Sequence, residues 1–306
     1  MGEKVLMKGN EAIGEAAIRS GCRHFFGYPI TPQTELSAYM AKKMPKINGV
    51  FLQAESEVSA INMVYGAAAA GMRTMTSSSS PGISLKAEGI SYLAAGDLPC
   101  VIVNIVRGGP GLGGIQPAQS DYFQAVKGGG HGDYHLIVLA PNSVQELAHL
   151  TAEAFNISDE YRIPTMILGD GTLGQMMEPV DLDAIPEPIY ADKPWAARGT
   201  DNKRNKNVVE TLYLEASELE KKVLEREKKY NVVKDNLQRY EAHDIDDADI
   251  IISSYGITSR VVETAVKSLR EEGIKVGVIR PITLWPFPEK IFKTVKPKAF
   301  LSVEMS

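Results

Sequence analysis

The chain has 306 residues, 44% of them apolar, and a net charge of -5 without a basic cluster. This length exceeds one comfortable hydrophobic core and predicts two domains, while the acidic balance argues against nucleic acid and anionic membranes as partners. The polar N-terminus and the absence of an apolar run near about 20 residues favour a cytoplasmic protein without a membrane partner.

From residue 8 to about 169, helical and strand patterns alternate, which predicts an α/β fold with a parallel sheet. The predicted strands are CRHFFGY (22–28), GVFLQ (49–53), RTMTS (73–77), PCVIVNIV (99–106), LIVLAP (136–141) and IPTMILG (163–169). Four polar turns follow strands, namely GYPITPQTE (27–35), QAESEVSA (53–60), TSSSSPG (76–82) and VRGGPG (106–111). Parallel strands bring such turns to one carboxyl edge, where ligands bind in open α/β sheets.

Three side chains in these turns carry chemistry: the carboxylate of Glu57, the hydroxyl of Thr31 and the guanidinium of Arg107. Around one crevice they predict a site for an anionic small molecule and an acid/base step. Glu57 also has a structural interpretation, because Ser56 is placed to cap a helix that begins at Glu57 and the helix dipole favours a glutamate there. Glu55 is the competing carboxylate.

Thr31 and Arg107 have structural alternatives as well. Thr31 is placed to cap a helix whose first residue is Pro32. Arg107 precedes GGPGLGG, which we expect to form a mobile lid, and a lone arginine there faces solvent as readily as a ligand.

The second half of the chain divides into three stretches. Residues 178–208, rich in proline and charge, predict a linker or an extended segment draped over the first domain. Residues 209–242 predict one long amphipathic helix, a packing or dimerisation arm. A small α/β unit follows and ends on an apolar strand, so we expect an incomplete C-terminus. The expected domains are 1–185, a linker with the helix at 186–245, and 246–306.

Other residues suggest metal sites, but we expect none on this chain. The sequence GDG at 169–171 is followed by Asn202, but the residues between them form a proline-rich stretch instead of a helix and a strand. Asp170 is therefore not expected to bind metal. His131, Asp133 and His135 alternate in a glycine-rich loop that is better explained as a lid or subunit contact. Cys22 and Cys100 lack the spacing of an iron–sulfur motif and are expected to be buried thiols.

Taken in order, YPITP, the SE before a helix ending in GAAAAG, TSSSSPG and VRGGPG resemble the α subunit of 2-oxoacid:ferredoxin oxidoreductases. The stretches RGGPGLGGIQPAQSDYFQAVKGGGHGDYHLIVLAPNSVQE (107–146) and GVIRPITLWPFPEK (277–290) are most similar to the branched-chain, 2-oxoisovalerate type. The resemblance covers almost the whole chain. It implies a pyrimidine-binding domain for thiamine diphosphate, followed by a smaller transketolase C-terminal-like domain.

The resemblance also implies roles for individual residues. Glu57 matches the glutamate that contacts N1′ of the cofactor's aminopyrimidine, Thr31 a substrate-binding threonine, and Arg107 the arginine that pairs with the 2-oxo acid carboxylate. Pro29 and Ser79 fall in cofactor-facing turns. Mg²⁺ and diphosphate are expected on a β subunit, and iron–sulfur clusters on γ and small ferredoxin-like subunits.

The function implied is oxidative decarboxylation of a 2-oxo acid to an acyl-CoA and CO₂, with coenzyme A as cosubstrate and ferredoxin as electron acceptor, in anaerobic metabolism. The enzyme would work only with its partner subunits. A branched-chain 2-oxo acid is the expected substrate, with pyruvate, 2-oxoglutarate and aryl pyruvates left open. Two alternatives remain: a non-oxidative, transketolase-like decarboxylase subunit and a non-catalytic scaffold.

Overall fold

A computed structural model describes residues 4–305 of the chain. Its strands are β1 (Lys4–Lys8), β2 (His24–Gly27), β3 (Val50–Gln53), β4 (Thr74–Ser78), β5 (Val101–Val106), β6 (Ile137–Leu139), β7 (Thr165–Asp170), β8 (Met177–Asp181), β9 (Tyr240–His243), β10 (Ile250–Ser253), β11 (Val276–Pro281), β12 (Thr283–Trp285) and β13 (Ala299–Ser302). Its α-helices are α1 (Gly9–Arg19), α2 (Thr34–Lys43), α3 (Glu57–Ala69), α4 (Ser80–Ala95), α5 (Tyr122–Val126), α6 (Val144–Tyr161), α7 (Gly171–Gln175), α8 (Ala216–Asn236), α9 (Gly256–Glu271) and α10 (Glu289–Thr294).

The largest sheet has seven strands in the order β12-β6-β7-β5-β4-β2-β3. Strands β2 to β7 run parallel, and β12 joins the edge antiparallel to β6. Helices α1, α2 and α6 pack together, as do α3 and α4. The central strand β5 is buried over its whole length. All six strands predicted for this sheet are present, which confirms the parallel α/β fold.

A second sheet has the order β13-β10-β11-β9, with β9 antiparallel to its neighbour. Helix α9 packs on this sheet, and Val262 and Val266 join Ile252, Val276 and Val278 in a small core. The terminal strand β13, which looks apolar in sequence, is exposed at all four residues because it lies at the sheet edge. Strand β12 follows β11 in the chain but pairs with β6 of the first sheet. Strand β9 of the second sheet lies before residue 246, the expected start of the last domain. The expected division at 185 and 245 stays a prediction.

The region before the second sheet differs from the sequence prediction. The helix expected over 209–242 is confined to α8, Ala216–Asn236, and residues 209–213 have no regular secondary structure. Just before them, the Asn207 side-chain amide donates to the Pro194 and Ala196 carbonyls. Beyond α8, Arg239 N donates to Thr283 Oγ1, which turns the chain into β9. Strand β8, within the expected linker, pairs antiparallel with β1.

Cys22 and Cys100 are buried free thiols, and burial raises the pKa of Cys22 to about 12. Within residues 4–305, no helix combines the length and apolar character required to cross a bilayer.

Candidate functional site

The carboxyl edge of the seven-stranded sheet gathers the four predicted turns. Strands β2, β3, β4 and β5 are parallel and adjacent in the order β5-β4-β2-β3, so the segments that follow them emerge side by side. Hydrogen bonds link these segments, including one from Ala54 N to Gly27 O. The sequence prediction of a shared edge is therefore confirmed.

Glu57 is a buried carboxylate at the start of α3. Ser56 Oγ accepts from Ser59 N at 3.1 Å, which confirms the predicted cap. Glu57 is only 6% exposed, and within residues 4–305 its carboxylate receives no hydrogen bond. Glu55, in contrast, is exposed and accepts from Ser59 Oγ. Because a buried polar group without a partner is costly, the geometry favours Glu57 over Glu55 as the ligand-facing carboxylate.

The turn after β4 adds two unpartnered hydroxyls, and that of Ser78 lies near Glu57. Ser78 Oγ and Ser79 Oγ are buried without a hydrogen-bond partner within the part of the chain that the structure describes. A Cβ at Gly82 would lie 2.0 Å from Ser78 Oγ and 2.9 Å from Glu57 Oε1. Glycine at this position therefore lets the first turn of α4 approach α3 and β4 closely.

Ser80 ties the β4 turn to the β5 turn. Its hydroxyl donates to Arg107 O at 3.2 Å and accepts from Arg107 N at 3.1 Å, while its own N–H donates to Asn104 Oδ1. Ser80 has a φ of +21°, an uncommon value for a residue other than glycine. These bonds fix the position of Arg107 relative to the serine turn.

Arg107 and Thr31 are in contact, but the contact is made by the Thr31 backbone carbonyl and not by its hydroxyl. Arg107 is 7% exposed; Nη1 donates to Thr31 O and Nη2 to Leu112 O, both at 2.9 Å. Its Nε is buried without a partner within residues 4–305. A guanidinium has five N–H donors, so three remain for an anion. The interpretation of Arg107 as a solvent-facing side chain is wrong.

The segment after Arg107 forms a closed loop over the guanidinium. Gly108 N donates to Gln116 O, and Gly114 N donates to Gly108 O, both at 2.9 Å. Gly113 has a φ of +62°, and a Cβ there would lie 1.8 Å from Gly108 O, so the turn requires glycine. Leu112 lies at the tip and is 82% exposed.

The predicted cap at Thr31 is wrong. Helix α2 begins at Thr34, and the residue before it is Gln33. The carbonyl of Pro32 instead accepts from the side-chain amides of Asn10 and Gln175, at 2.9 and 3.0 Å, so it is held outside the helix by tertiary contacts. Thr31 and Pro29 are exposed at the same edge of the sheet.

Two buried side chains at this edge were missed by the sequence analysis. Gln33 is fully buried, and its Oε1 accepts from Ser77 Oγ at 2.7 Å. Lys86 on α4 is also fully buried, and Nζ donates to Thr76 Oγ1 and Ser77 O. One sequence feature could have identified Lys86: it is the single basic residue in the largely apolar stretch GISLKAEGISYLAA.

The possible metal ligands have other contacts. Asp170 Oδ1 accepts from Thr172 N and Leu173 N and so caps α7, while burial raises the Asp170 pKa. His135 stacks on Trp285 with ring centroids 4.6 Å apart. His131 packs edge-on against Tyr92, and Asp133 and Asn202 are exposed. Within residues 4–305, no three His, Cys, Asp or Glu residues are grouped suitably for a metal ion.

A separate cavity of about 590 Å³ lies at the carboxyl edge of the second sheet. It is lined mainly by apolar and aromatic side chains, including Tyr122, Phe123, Leu284, Phe287 and Phe292. Glu57, Thr31 and Arg107 do not line it. This cavity is therefore not the site formed by the predicted residues.

Two models of protein families and several known proteins match this chain. The family model described as "Pyruvate flavodoxin/ferredoxin oxidoreductase, thiamine diP-bdg" matches residues 15–256, and "Pyruvate:ferredoxin oxidoreductase core domain II" matches 248–306. The ketoisovalerate oxidoreductase subunit VorB of Methanothermobacter marburgensis is 50% identical over 98% of this chain and 86% of its own length. The 2-oxoglutarate synthase subunit KorA of Methanocaldococcus jannaschii is 38% identical, with coverages of 98% and 88%.

Solved structures agree with this relationship. A 2-oxoglutarate:ferredoxin oxidoreductase from Magnetococcus marinus, bound to 2-oxoglutarate, coenzyme A and succinyl-CoA, has a TM-score of 0.90 and 30% identity. The match covers all of this chain and 58% of that one. A split-gene transketolase at 14% identity and a TM-score of 0.57 shares the fold, over 99% of this chain and 80% of its own. The chain belongs to the 2-oxoacid:ferredoxin oxidoreductase family, as an α-type subunit with that family's thiamine diphosphate-binding domain.

Proposed function

We propose that this chain provides the pyrimidine half-site and the substrate clamp of a 2-oxoacid:ferredoxin oxidoreductase. The observation that carries the proposal is Glu57, a carboxylate residue only 6% exposed, whose Oε1 borders Gly82 together with the buried, unpartnered hydroxyl of Ser78. Such a set of free polar groups in a buried place suits a polar heterocycle that supplies both donors and acceptors.

The residues fit the aminopyrimidine of thiamine diphosphate. Glu57 would hold or release a proton at N1′ of that ring, acting as an acid/base at one remove from the substrate. Ser79 and Pro29 would line the cofactor side of the edge. When bound, thiamine diphosphate supplies the nucleophile and the electron sink that decarboxylation of a 2-oxo acid requires.

Arg107 would bind the carboxylate of the 2-oxo acid, and Thr31 would contact the same substrate from the neighbouring turn. Three guanidinium donors remain after the bonds to Thr31 O and Leu112 O, and Nε is buried. A charged hydrogen bond in this water-poor position would favour acids over neutral aldehydes. The carbonyl of Leu112, in the loop after Arg107, also binds the guanidinium. Substrate binding at Arg107 would therefore affect the position of this loop.

The complete reaction would require partner chains. We propose a β subunit that binds diphosphate and Mg²⁺, and γ and ferredoxin-like subunits whose iron–sulfur clusters pass electrons to ferredoxin. Coenzyme A would accept the acyl group. We also propose the division at residues 185 and 245, and a cytoplasmic location, where coenzyme A and ferredoxin are available.

We propose a branched-chain 2-oxo acid as the substrate. The support is the greater identity to a ketoisovalerate oxidoreductase subunit, 50%, than to a 2-oxoglutarate synthase subunit, 38%. One methylene in an apolar pocket changes the transition-state free energy by only about 1–3 kcal/mol, so the preference would be graded.

The test is purification of the complex through this chain without air, followed by coenzyme A-dependent reduction of a viologen dye with a panel of 2-oxo acids. The expected result is reduction that is fastest with 2-oxoisovalerate. Reduction that favours 2-oxoglutarate or pyruvate would reject the substrate alone. No reduction by a complex with intact clusters and bound thiamine diphosphate would reject the oxidoreductase function and favour a decarboxylase or scaffold.

A further inference from the structure

Lys86 is a fully buried cation beneath the proposed half-site. Its Nζ donates to Thr76 Oγ1 and to Ser77 O, each at 2.9 Å, which attaches α4 to the end of β4 just before Ser78. Lysine is almost never completely buried without a charged partner, because removing an ammonium group from water is costly. The two acceptors of Lys86 are neutral, so its charge must be compensated from elsewhere.

Glu57 is the carboxylate placed to compensate that charge. Its Oε1 lies 2.9 Å from the position that a Cβ would take at Gly82, one helical turn before Lys86 on the same face of α4. Strands β4 and β5 contain no ionisable residue, and α3 contributes Glu57 and the phenol of Tyr65, whose pKa is raised by burial. Burial lowers the pKa of Lys86 to about 7, while the negative charge of Glu57 acts in the opposite direction. The proton on Lys86 is therefore held weakly and depends on the charge of Glu57.

We propose, on the basis of the proposed thiamine half-site, that Lys86 is a positioning residue that provides the counter-charge of Glu57 and gives up its proton when Glu57 shares one with the cofactor. One proton leaves Lys86 Nζ for solvent, and one proton from solvent enters the contact between Glu57 and the aminopyrimidine. The net charge of the buried site does not change. The exchange is an equilibrium linkage between two sites and requires no direct proton path.

The hydrogen bonds of Lys86 are compatible with both of its forms. A neutral amine keeps two N–H donors, which equals the number of acceptors present, Thr76 Oγ1 and Ser77 O. Loss of the proton therefore leaves both bonds intact. The end of β4, with Ser78 and Ser79, remains anchored while the charge of the site changes.

The test measures proton uptake when Mg²⁺ and thiamine diphosphate bind to the cofactor-free complex. Calorimetric titrations are made in buffers of different ionisation enthalpy between about pH 6 and about pH 8.5. In the wild-type complex, uptake from buffer is expected to be small below about pH 7, because Lys86 releases a proton, and to approach about one proton per site above about pH 8. The diphosphate also ionises in this range, so the informative quantity is the difference between variants.

Two substitutions separate the charge of Lys86 from its hydrogen bonds. Lys86→Gln retains N–H donors without the charge, and Lys86→Met removes both. Both variants are expected to take up about one additional proton per site near pH 6.5 relative to the wild type. If Lys86→Gln behaves like the wild type and only Lys86→Met differs, Lys86 has a structural role and the proposal is overturned.

Substitutions of Thr76 and Glu57 test the proposal independently of the Lys86 variants. If neither Lys86 variant assembles, Thr76→Val removes one acceptor of Nζ without a charge and should move the rise in proton uptake to lower pH; an unmoved rise would overturn the proposal. Glu57→Gln is expected to abolish the uptake. Should Glu57→Gln match the wild type above about pH 8, the thiamine half-site itself fails. A wild-type result for Lys86→Gln near about pH 6.5, with an altered Glu57→Gln above about pH 8, rejects only the role of Lys86.

Discussion

At the residue scale, substitution of Glu57 distinguishes a catalytic role for this carboxylate from a structural role at the start of α3. Glu57→Gln keeps the shape of the side chain and the Ser56 cap but removes the acid/base group, so turnover should fall by about 10²- to 10⁴-fold or more while the complex stays assembled. The measurement is viologen reduction with the preferred 2-oxo acid. Glu55→Gln, at the exposed neighbour, should retain activity. Equal activity of both variants would leave Glu57 with only a helix-start role.

Gly82 tests whether the close contact of α4 with Glu57 matters. Gly82→Ala places a methyl group 2.0 Å from Ser78 Oγ and 2.9 Å from Glu57 Oε1, so something must shift. We expect a loss of about 1–3 kcal/mol in the free energy of unfolding and weaker binding of thiamine diphosphate. Binding is measured by calorimetry and stability by denaturant unfolding.

The matched control for Gly82 is Gly66, within α3. A Cβ at Gly66 meets nothing within 4 Å, so Gly66→Ala should raise stability by about 0.5–1 kcal/mol through higher helix propensity. Cofactor binding should be unchanged in this variant. Similar binding by both alanine variants would show that the approach of α4 is not important for the site.

At the scale of elements, the segment 186–197 is held against the first sheet by buried charges. Asp159 on α6 accepts from Arg73 Nε at 2.8 Å and pairs with Lys193 Nζ at 2.5 Å. Arg73 also donates through Nη2 to Ile189 O. The proline-rich segment is therefore anchored along the surface of the first sheet's helices.

Replacing Asp159 should release this segment. Asp159→Asn leaves two buried cations without a counter-charge, and we expect a loss of about 3–5 kcal/mol in the free energy of unfolding. Hydrogen exchange should become faster within the segment 186–197 before it does in β5. The exposed Asp192→Asn, in the same segment, should change stability by less than about 0.5 kcal/mol. Unchanged exchange in the Asp159 variant would contradict the anchoring role.

At the scale of the whole molecule, Arg280 connects the two sheets. Arg280, on β11 of the second sheet, is 2% exposed and binds Glu146 of α6 through Nη1 and Nη2 at 2.9 and 2.8 Å. It also donates through Nε to Glu241 at 2.9 Å. Gln119 makes a second connection, because its side chain donates to Tyr255 O and accepts from Thr258 Oγ1.

Loss of Arg280 should loosen the second sheet from the first. Arg280→Met leaves Glu146 without its bidentate partner, and the expected cost is about 3–5 kcal/mol in the free energy of unfolding. Limited proteolysis between α8 and β10 should become faster. Lys298→Met removes an exposed pair with Asp249 and should cost at most about 1 kcal/mol. Equal effects of the two substitutions would argue against Arg280 as the connection.

The sequence by itself determined the alternation of helices and strands, the turns at one edge, and the Ser56 cap that places Glu57 in the first turn of α3. These features depend on periodicity and on contacts between residues a few positions apart, such as Ser56 with Ser59. The family resemblance then identified candidate residues in those turns. Local information was sufficient because each strand and helix carries its own pattern.

Tertiary structure decided the rest. The pairing of β1 with β8, the place of β12 in the first sheet and the start of α2 at Thr34 each depend on partners far away in the chain. The Pro32 carbonyl is bound by Asn10 and Gln175, and Lys86 reaches Thr76 and Ser77 only after α4 packs against β4. Backbone pairing and compensation of buried charge are satisfied in three dimensions, so no local pattern of residues could have specified them.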